Sequence, residues 1–341
     1  MGCLQTLLGE MAKKKASNTI NGKAFEYACL NALRKRLQFH GVPVNEAASK
    51  ALTTAEKAYN IIEWEERVNL DNAAETAVSL LIPLEPKLMY GPGTLLLEIA
   101  ADAAAIGVDG DVRDVLCVRS EDGPDGWTIG MSCKHNHEAL RHPRVTERKD
   151  FGADWIGIHC SREFMEEITP VTDSLISYGE NKVLWRNIDR KWDRYYVPIL
   201  SAYMKEIRRL CDTYKDVPGK LLSYFFGAND FYKIIMKTSA RTTTLEGFNM
   251  HGTLNQHSGK RKAMTRVPVI KLPTRLIDAA FKTTSSGPSK TTIILTFDGG
   301  WAVSMRLHNK DDIAKPTSLA WDVKLEGLPP STYVNTHSWD E

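Results

Sequence analysis

The chain has 341 residues, of which 43% are hydrophobic and 25% are charged. These are values of a globular protein, so they exclude a disordered, collagen-like or mucin-like chain. Forty-four Lys and Arg against 42 Asp and Glu leave a formal net charge of +2, which is too small to identify a partner. The length predicts one large domain or two ordinary ones, with a core that needs no disulfide or structural metal.

Six cysteines are spread along the chain without a C-x-x-C pair, and some stand in apolar runs where a free thiol behaves as a small buried hydrophobe. This distribution of cysteines indicates a protein of a reducing compartment, where thiols stay free. No apolar run approaches the ~18 residues of a membrane span. A cytoplasmic protein is therefore expected.

The first third of the chain has helical patterns. Apolar residues repeat every four positions over 18–37, where Glu26 lies near the edge of the apolar stripe. Residues 45–66 are rich in Ala and Glu and predict a second helix, and Asp71 is a candidate N-cap of a third. Residues 1–17 are expected to form a flexible tail.

Strand patterns follow this helical part. Residues 114–119 and 127–133 predict a hairpin within a mixed sheet, because a strong turn signal separates them. Residues 282–290 are predicted to be a loop. The remaining predictions are a strand-like run over 94–101, helices over 161–168 and 196–215, and strands over 291–297, 301–308 and 319–325.

The ends of the predicted hairpin carry opposite charges. Asp114 begins the first strand and Lys134 ends the second, and in an antiparallel hairpin these two ends meet. A carboxylate suits Mg²⁺, which prefers oxygen ligands, and a nearby Lys can stabilise charge that develops on a phosphate. This pairing serves phosphodiester hydrolysis in the PD-(D/E)xK nucleases. The spacing alone favours a simpler interpretation, in which Asp114 caps a turn and Lys134 is a solvated strand end.

The PD-(D/E)xK pattern has an acidic residue two positions before its lysine. In this chain that position holds Ser132, so one of the expected carboxylates is missing. The backbone carbonyl of Cys133 and the side chain of Asn136 are candidates for further oxygen ligands. A second acid must come from elsewhere, and the candidates are Glu26, Asp111, Glu98 and Asp102.

Several segments resemble the HaeIII-type restriction endonucleases, and they follow in the expected order over nearly the whole chain. The most specific is the sequence KHNH at 134–137 after the strand that begins with GDVRD at 110–114. The other matching segments are 21–28, 138–145, 196–200, 246–256, 271–277 and 300–310.

The resemblance implies a PD-(D/E)xK-like core that uses Mg²⁺ to cleave double-stranded DNA at GGCC with blunt ends. It implies that Asp114 is the principal metal ligand and Lys134 the catalytic lysine. Glu26 takes the place of an additional metal-site acid, and the residues that line the site are Asp111, His135, Asn136 and His137. The predicted fold class is mixed α/β, with the nuclease core over 18–240 and a β-rich, basic portion over 241–341 that contacts DNA.

Basic segments support DNA as the partner. Between Gly247 and Ile277 there are six basic residues and no acid, a composition that attracts a phosphate array. Arginine binds guanine with two hydrogen bonds, so a G·C site favours arginine readers. A solvated loop explains each of these residues equally well. The candidate DNA contacts are His135, Asn136, His137, Arg144, Arg241, Asn249, Lys260, Arg275, Arg306 and His308.

Three other interpretations of these residues are open. The set Cys133, His135, His137 and His142 has the chemistry of zinc ligands, but it lacks a second cluster at finger spacing. The HNH nucleases share only the letters of 135–137, since their residues are spread over a longer unit. Aromatic residues interleaved with basic ones, Trp185, Trp192, Tyr195 and Tyr196, suit base stacking, but their spacing favours the core.

Two alternatives to a GGCC-specific enzyme follow from the sequence. The first is a nuclease of the same fold with another target or a repair role. The second is a catalytically silent DNA-binding protein, which Ser132 makes plausible. A palindromic target favours a homodimer, and a restriction enzyme implies a cytosine methyltransferase as its functional partner in the host.

Overall fold

The computed structural model describes residues 2–101, 111–119, 126–136, 140, 143–146, 150–259 and 261–339, with side chains from residue 19 onward. The chain forms two compact units. The first unit comprises Met1–Glu138, Asn229–Ile270 and Ser331–Glu341, and the second comprises Ala139–Ala228 and Lys271–Pro330.

Helices and strands both contribute to each unit. The helices are α1 (Gly2–Phe39), α2 (Lys50–Ile61), α3 (Trp64–Leu81), α4 (Pro86–Tyr90), α5 (Phe151–Ile156), α6 (Arg162–Glu180), α7 (Val197–Thr213) and α8 (Val217–Phe226). The strands are β1 (Val44–Glu46), β2 (Leu95–Ile99), β3 (Val115–Arg119), β4 (Trp127–His135), β5 (Phe231–Lys237), β6 (Thr242–Phe248), β7 (Leu276–Thr284), β8 (Gly287–Phe297), β9 (Ala302–Asn309), β10 (Leu319–Gly327) and β11 (Tyr333–Ser338).

The first unit is built on a seven-stranded mixed sheet in the order β1-β2-β3-β4-β5-β6-β11. The strands β4 and β5 are parallel, and β3 and β4 form the predicted antiparallel hairpin, with Val115 opposite Met131. Helix α1 packs on this sheet through buried residues such as Phe25 and Leu33. The mixed α/β class is therefore confirmed. The predicted boundary at residue 240 falls between β5 and β6, which are neighbours in this sheet, and the division into 18–240 and 241–341 stays a prediction.

Two predicted elements in the first unit differ from the structure. The helix predicted over 45–66 is shorter in the structure, where it is α2 (Lys50–Ile61), because Ser49 caps its start by accepting a hydrogen bond from Leu52 N–H at 3.0 Å. The proposed cap Asp71 lies inside α3, where its carboxylate accepts a hydrogen bond from Tyr59 Oη at 2.7 Å. The helix predicted over 18–37 is confirmed within α1, which also contains the segment predicted to be a tail.

The second unit has a four-stranded antiparallel sheet in the order β10-β9-β8-β7. The predicted strands over 291–297, 301–308 and 319–325 are confirmed within β8, β9 and β10. The loop predicted over 282–290 is wrong, because β7 and β8 extend across it and leave only a short turn. Gly287 has φ = 103°, a conformation that glycine adopts without strain, so the hairpin can close there.

The aromatic segment of the second unit is only partly in the core. Trp185, Tyr195 and Tyr196 are buried, which confirms the core interpretation for them. For Trp192 that interpretation is wrong, since its side chain is 47% exposed. A π-helical turn over Trp192–Tyr196 shifts the helical spacing and turns this ring outward.

Two further observations concern the described part of the chain. The cysteines whose thiols are described, Cys29, Cys117, Cys133, Cys160 and Cys211, are all free. A search of the described helices finds none that combines the length and the apolar character needed to cross a membrane.

Candidate active site

The ends of β3 and β4 bring the predicted carboxylate and amine together. Asp114 lies directly before β3, and Lys134 is the second-to-last residue of β4. Lys134 Nζ lies 3.3 Å from Asp114 Oδ2. Both side chains are partly accessible, so a substrate can reach them. The two residues therefore form an ion pair at one end of the hairpin.

Backbone hydrogen bonds fix the Asp114 carboxylate. The backbone N–H of Cys133 donates to Asp114 Oδ2 at 2.7 Å, and the backbone N–H of Asp114 donates to Met131 C=O at 2.7 Å. The hydroxyl of Ser132 lies 3.4 Å from the same carboxylate oxygen. Because Asp114 is held by the strand that carries Lys134, the geometry of the pair is set by the register of the hairpin.

A second carboxylate, Glu26, faces this pair from helix α1. Its side chain is buried, and Lys23 Nζ lies at 3.1 Å from Glu26 Oε2. Burial, and then the negative charge of Asp114, raise the pKa of Glu26 to about 8, whereas the charges of Lys23 and Lys134 lower it. Because the charges of Asp114 and Lys134 both act on Glu26, this carboxylate is a candidate second acid of the site.

Oxygen donors at this site suit a hard divalent cation. Asp114 and Glu26 supply carboxylates. The backbone N–H of Cys133 points toward Asp114, and the N–H and C=O of one strand residue point to the same side. The Cys133 carbonyl therefore also lies on the Asp114 side of β4. Mg²⁺ commonly takes one or two protein carboxylates and keeps several waters, so this donor set is sufficient for it. Within the described ranges, no group of three or more His, Cys, Asp or Glu side chains could hold a metal ion. Two of the four residues of the zinc interpretation lie outside those ranges, so that interpretation stays open.

The Cys133 thiol takes no part in this donor set. A hydrogen bond with the buried Cys29 thiol on α1, together with burial, raises the pKa of Cys133 well above its usual value. A thiol that stays protonated is a poor metal ligand. It packs between the sheet and α1, so the contribution of Cys133 to the site is through its backbone.

The other candidate acids have different surroundings. Asp111 is held by Arg113, whose Nη2 lies at 2.6 Å from Asp111 Oδ2, and Asn229 Nδ2 lies at 3.5 Å from the same oxygen. Glu98 lies on β2 opposite Leu116 of β3. Asp102 lies outside the described residues.

His135 and Asn136 connect the end of β4 to other elements of the first unit. His135 Nε2 lies 2.9 Å from Glu66 Oε1 on α3. Asn136 has φ = 58°, and its amide exchanges two hydrogen bonds with Thr238, at 3.1 and 2.9 Å. Both side chains therefore brace the strand end that carries Lys134. His137 and His142 lie outside the described residues.

The DNA-contact candidates of the first unit are not equally accessible. Arg241 is exposed, and its guanidinium lies 5.7 Å from the centre of the Trp339 ring. Asn249 is buried, with its amide nitrogen donating to Val267 C=O at 3.1 Å. Its hydrogen bonds hold the loop after β6, and Lys260 lies outside the described residues.

The candidates of the second unit lie on its sheet and the adjoining loops. Arg144 Nη1 donates to Thr317 C=O at 2.7 Å, and Arg306 Nη2 lies 3.2 Å from Asp322 Oδ2. Arg275 has an exposed side chain, while its backbone N–H donates to Asp298. His308 lies on β9 opposite Ala320.

Sequence reasoning did not identify Glu66, Arg113 and Lys23 as neighbours of these residues. Lys23 could have been found from its i, i+3 spacing to Glu26 on one helix. Arg113 precedes Asp114 directly, but only the structure shows that its side chain reaches back to Asp111. Nothing in the sequence signals the pairing of Glu66 with His135, which are 69 positions apart.

Comparisons with known proteins agree with this geometry. Residues 22–329 match the family model of the HaeIII restriction endonuclease. The chain is 36% identical over 322 residues to the type II restriction enzyme HaeIII of Haemophilus aegyptius, a match that covers 94% of this chain and 98% of that enzyme. No solved structure matches the chain significantly.

Proposed function

We propose, since the chain belongs to the HaeIII restriction endonuclease family, that it cleaves double-stranded DNA at GGCC in a Mg²⁺-dependent reaction that leaves blunt ends. The chain is a type II site-specific deoxyribonuclease. The target sequence, the form of the ends and the identity of the metal are the proposed parts. The observation that carries the proposal is the ion pair between Asp114 and Lys134 at the end of the β3–β4 hairpin, at 3.3 Å.

In this proposal, Asp114, Glu26 and the Cys133 carbonyl hold Mg²⁺. The bound ion would polarise the scissile phosphate and favour deprotonation of a water. Lys134 donates hydrogen bonds to the nucleophile or to the phosphate oxygens, where negative charge increases. Asp114 also orients the Lys134 ammonium, because the two groups are in contact before substrate binds.

Recognition of GGCC is proposed to use basic side chains. Arginine can bind the N7 and O6 atoms of guanine with two hydrogen bonds, and Arg241, Arg275 and Arg306 are the candidate readers. All three have exposed side chains, as base contact requires. Arg144 and His308 are proposed to support binding through phosphate contacts, as is the exposed Asn136 beside the catalytic pair. His135 is held by Glu66, so it is proposed to support binding by bracing the strand end.

A cleavage assay on duplexes with one GGCC site tests the proposal. We expect cutting with Mg²⁺, none after chelation with EDTA, and blunt ends when the products are sequenced. A duplex in which one base of the site is changed should stay intact. Cutting at another sequence would overturn the proposed specificity, and undiminished cutting in EDTA would overturn the metal requirement.

The Asp114→Asn variant tests the assignment of the site in the same assay. We expect it to lose cutting, because an amide cannot replace a carboxylate as a metal ligand. Asp216→Asn is the matched control, since Asp216 is exposed and its carboxylate pairs with Lys220 on α8. Cutting by Asp114→Asn at the control rate would remove Asp114 from the reaction.

A palindromic target further suggests a symmetric homodimer, and restriction requires that host DNA be protected. We therefore propose a cytosine methyltransferase as the functional partner. Sedimentation of the protein with and without a GGCC duplex tests the dimer, with a two-to-one complex expected. A methylated GGCC duplex should resist cutting, and rapid cutting of it would contradict the proposed partner.

A further inference from the structure

We propose that the segment 186–194 of the second unit, together with Lys290, forms a surface that binds the phosphate backbone of double-stranded DNA. We call it the Trp192 surface, and its members are Arg186, Arg190, Lys191, Trp192, Arg194 and Lys290. The proposal rests on the proposed function, since it adds a contact to the same DNA substrate. None of the basic segments used above to assign DNA contacts includes these residues.

The exposure of Trp192 is the first observation. Its side chain is 47% exposed, whereas Trp185, Tyr195 and Tyr196 in the same segment are at most 3% exposed. A tryptophan carries a large apolar area, so its exposure costs free energy that a partner can recover on binding. Lys191 Nζ lies 4.9 Å from the centre of the Trp192 ring, so one face of the ring already carries a cation.

The segment is held rigidly on both sides of the exposed ring. Trp185 is fixed by a hydrogen bond from its Nε1 to Ser318 Oγ at 2.9 Å, and Tyr195 Oη lies 2.9 Å from Ser174 Oγ. Between these anchors, Arg190 has φ = 46°, an uncommon conformation for a residue with a side chain. A rigid turn loses little conformational freedom on binding, which favours a built surface over a mobile loop.

The charge of the surface selects a polyanion. Residues 186–194 contain four basic and two acidic residues, and Lys290 adds a fifth basic residue to the surface. One of the acids, Asp193, is already paired, with Lys290 Nζ at 2.7 Å and Arg190 Nε at 3.9 Å. The Arg190 side chain remains 73% exposed despite this contact. The phosphates of a DNA backbone offer such a surface a dense and regular array of negative charge.

The test compares DNA binding by Trp192→Ala, Arg190→Ala and the full-length wild type. The probe is a short GGCC duplex without divalent cation, titrated over a series of NaCl concentrations. Arg190→Ala should weaken binding and reduce the slope of log K against log salt by about 1. Trp192→Ala should weaken binding about fivefold or more without changing that slope, because the ring would lose its apolar contact with the deoxyribose of the backbone, and Trp192→Phe should restore most of it.

Two controls separate this effect from general damage. Trp64→Ala removes a 72% exposed tryptophan of the first unit, and Arg162→Ala removes an 86% exposed arginine of the second unit. Both should bind as the wild type does. Thermal unfolding shows whether a variant fails to fold. If Trp192→Ala does not fold, DNA binding by Arg190→Ala and Trp192→Phe still tests the Trp192 surface.

Each outcome is informative. Wild-type binding by Trp192→Ala and Arg190→Ala, with a wild type that cuts DNA, overturns this inference and leaves the proposed function standing. A changed sedimentation coefficient of DNA-free Trp192→Ala overturns it in favour of a contact between two copies of the chain. A wild type that neither binds nor cuts the duplex overturns both proposals.

Discussion

The side chain of Arg113 lies directly on Gly130, in the space that any larger residue at that position would occupy. A Cβ atom at residue 130 would stand 2.7 Å from Arg113 Cβ, closer than real Cβ contacts. The guanidinium of Arg113 continues to Asp111, with Nε at 2.8 Å and Nη2 at 2.6 Å from its carboxylate oxygens. Since Asp114 follows Arg113 in the chain, this packing positions the strand start that carries the candidate metal ligand.

The Gly130→Ala variant should therefore damage the site through the backbone. The new methyl group meets the base of the Arg113 side chain, which cannot swing away, so we expect a stability loss of about 1–3 kcal/mol. A small shift of Asp114 should lower the cleavage rate by about tenfold or more. Cleavage rates and urea unfolding curves measure the two effects.

Gly22→Ala is the matched control for this substitution. Gly22 lies in helix α1, and a Cβ there would meet no atom within 4 Å. Replacing a helical glycine with alanine stabilises by about 1 kcal/mol, so this variant should be at least as stable as the wild type. Equal behaviour of the two variants would contradict the packing role of Gly130.

Glu26 provides a prediction about the metal. If Glu26 holds the cation, Glu26→Gln should require more Mg²⁺ for half-maximal cleavage and should recover part of its activity at high Mg²⁺. Glu75→Gln is the control, because Glu75 lies on α3 with a half-exposed side chain paired to Arg36. An unchanged Mg²⁺ dependence of Glu26→Gln would exclude Glu26 as a ligand.

Much of this site could be predicted from local patterns. Asp114, the turn signal at 121–126 and Lys134 define a hairpin, and a hairpin fixes which ends meet. The pairing of β4 with β5 could not be predicted, because these parallel strands are separated by the chain that builds the second unit. The exposed Trp192 was also missed, since a π-helical turn breaks the spacing that indicates a buried face.

Glu85 gives a prediction about pH and stability. It is fully buried, it accepts a hydrogen bond from Tyr232 Oη at 2.7 Å, and burial raises its pKa to about 7. The folded state therefore favours the protonated acid more than the unfolded state does. This contribution is complete below the unfolded pKa of 4.5 and is lost as the pH rises through about 7.

The side chain of the Glu85→Gln variant cannot ionise, so its stability should not fall in this way as the pH rises through about 7. We expect the wild type to lose roughly 3 kcal/mol relative to Glu85→Gln between acidic pH and pH 8, from the size of the pKa shift. Urea unfolding of both proteins at several pH values measures the difference. Parallel stability curves would show that Glu85 does not titrate in this range.

Arg119 is predicted to hold the loop before β2. It is buried, and its guanidinium donates to the carbonyls of Lys87, Leu88, Pro92 and Gly93 at 2.8–3.0 Å. Arg119→Lys keeps the charge but cannot reach all these acceptors, so we expect a loss of about 3 kcal/mol or more in the free energy of unfolding. Arg162→Lys, at an exposed position, should change stability by less than about 0.5 kcal/mol. Equal stability of the two variants would contradict this role of Arg119.

The central claim is that Asp114 and Lys134 form a nuclease centre, and Lys134→Ala tests it most directly. Cleavage of a GGCC duplex and binding of the same duplex are measured on one preparation. We predict a cleavage rate at least about 100-fold lower, because the charge that stabilises the reacting phosphate is lost. Specific binding should stay close to that of the wild type. Cleavage at the wild-type rate by the folded variant would contradict the account.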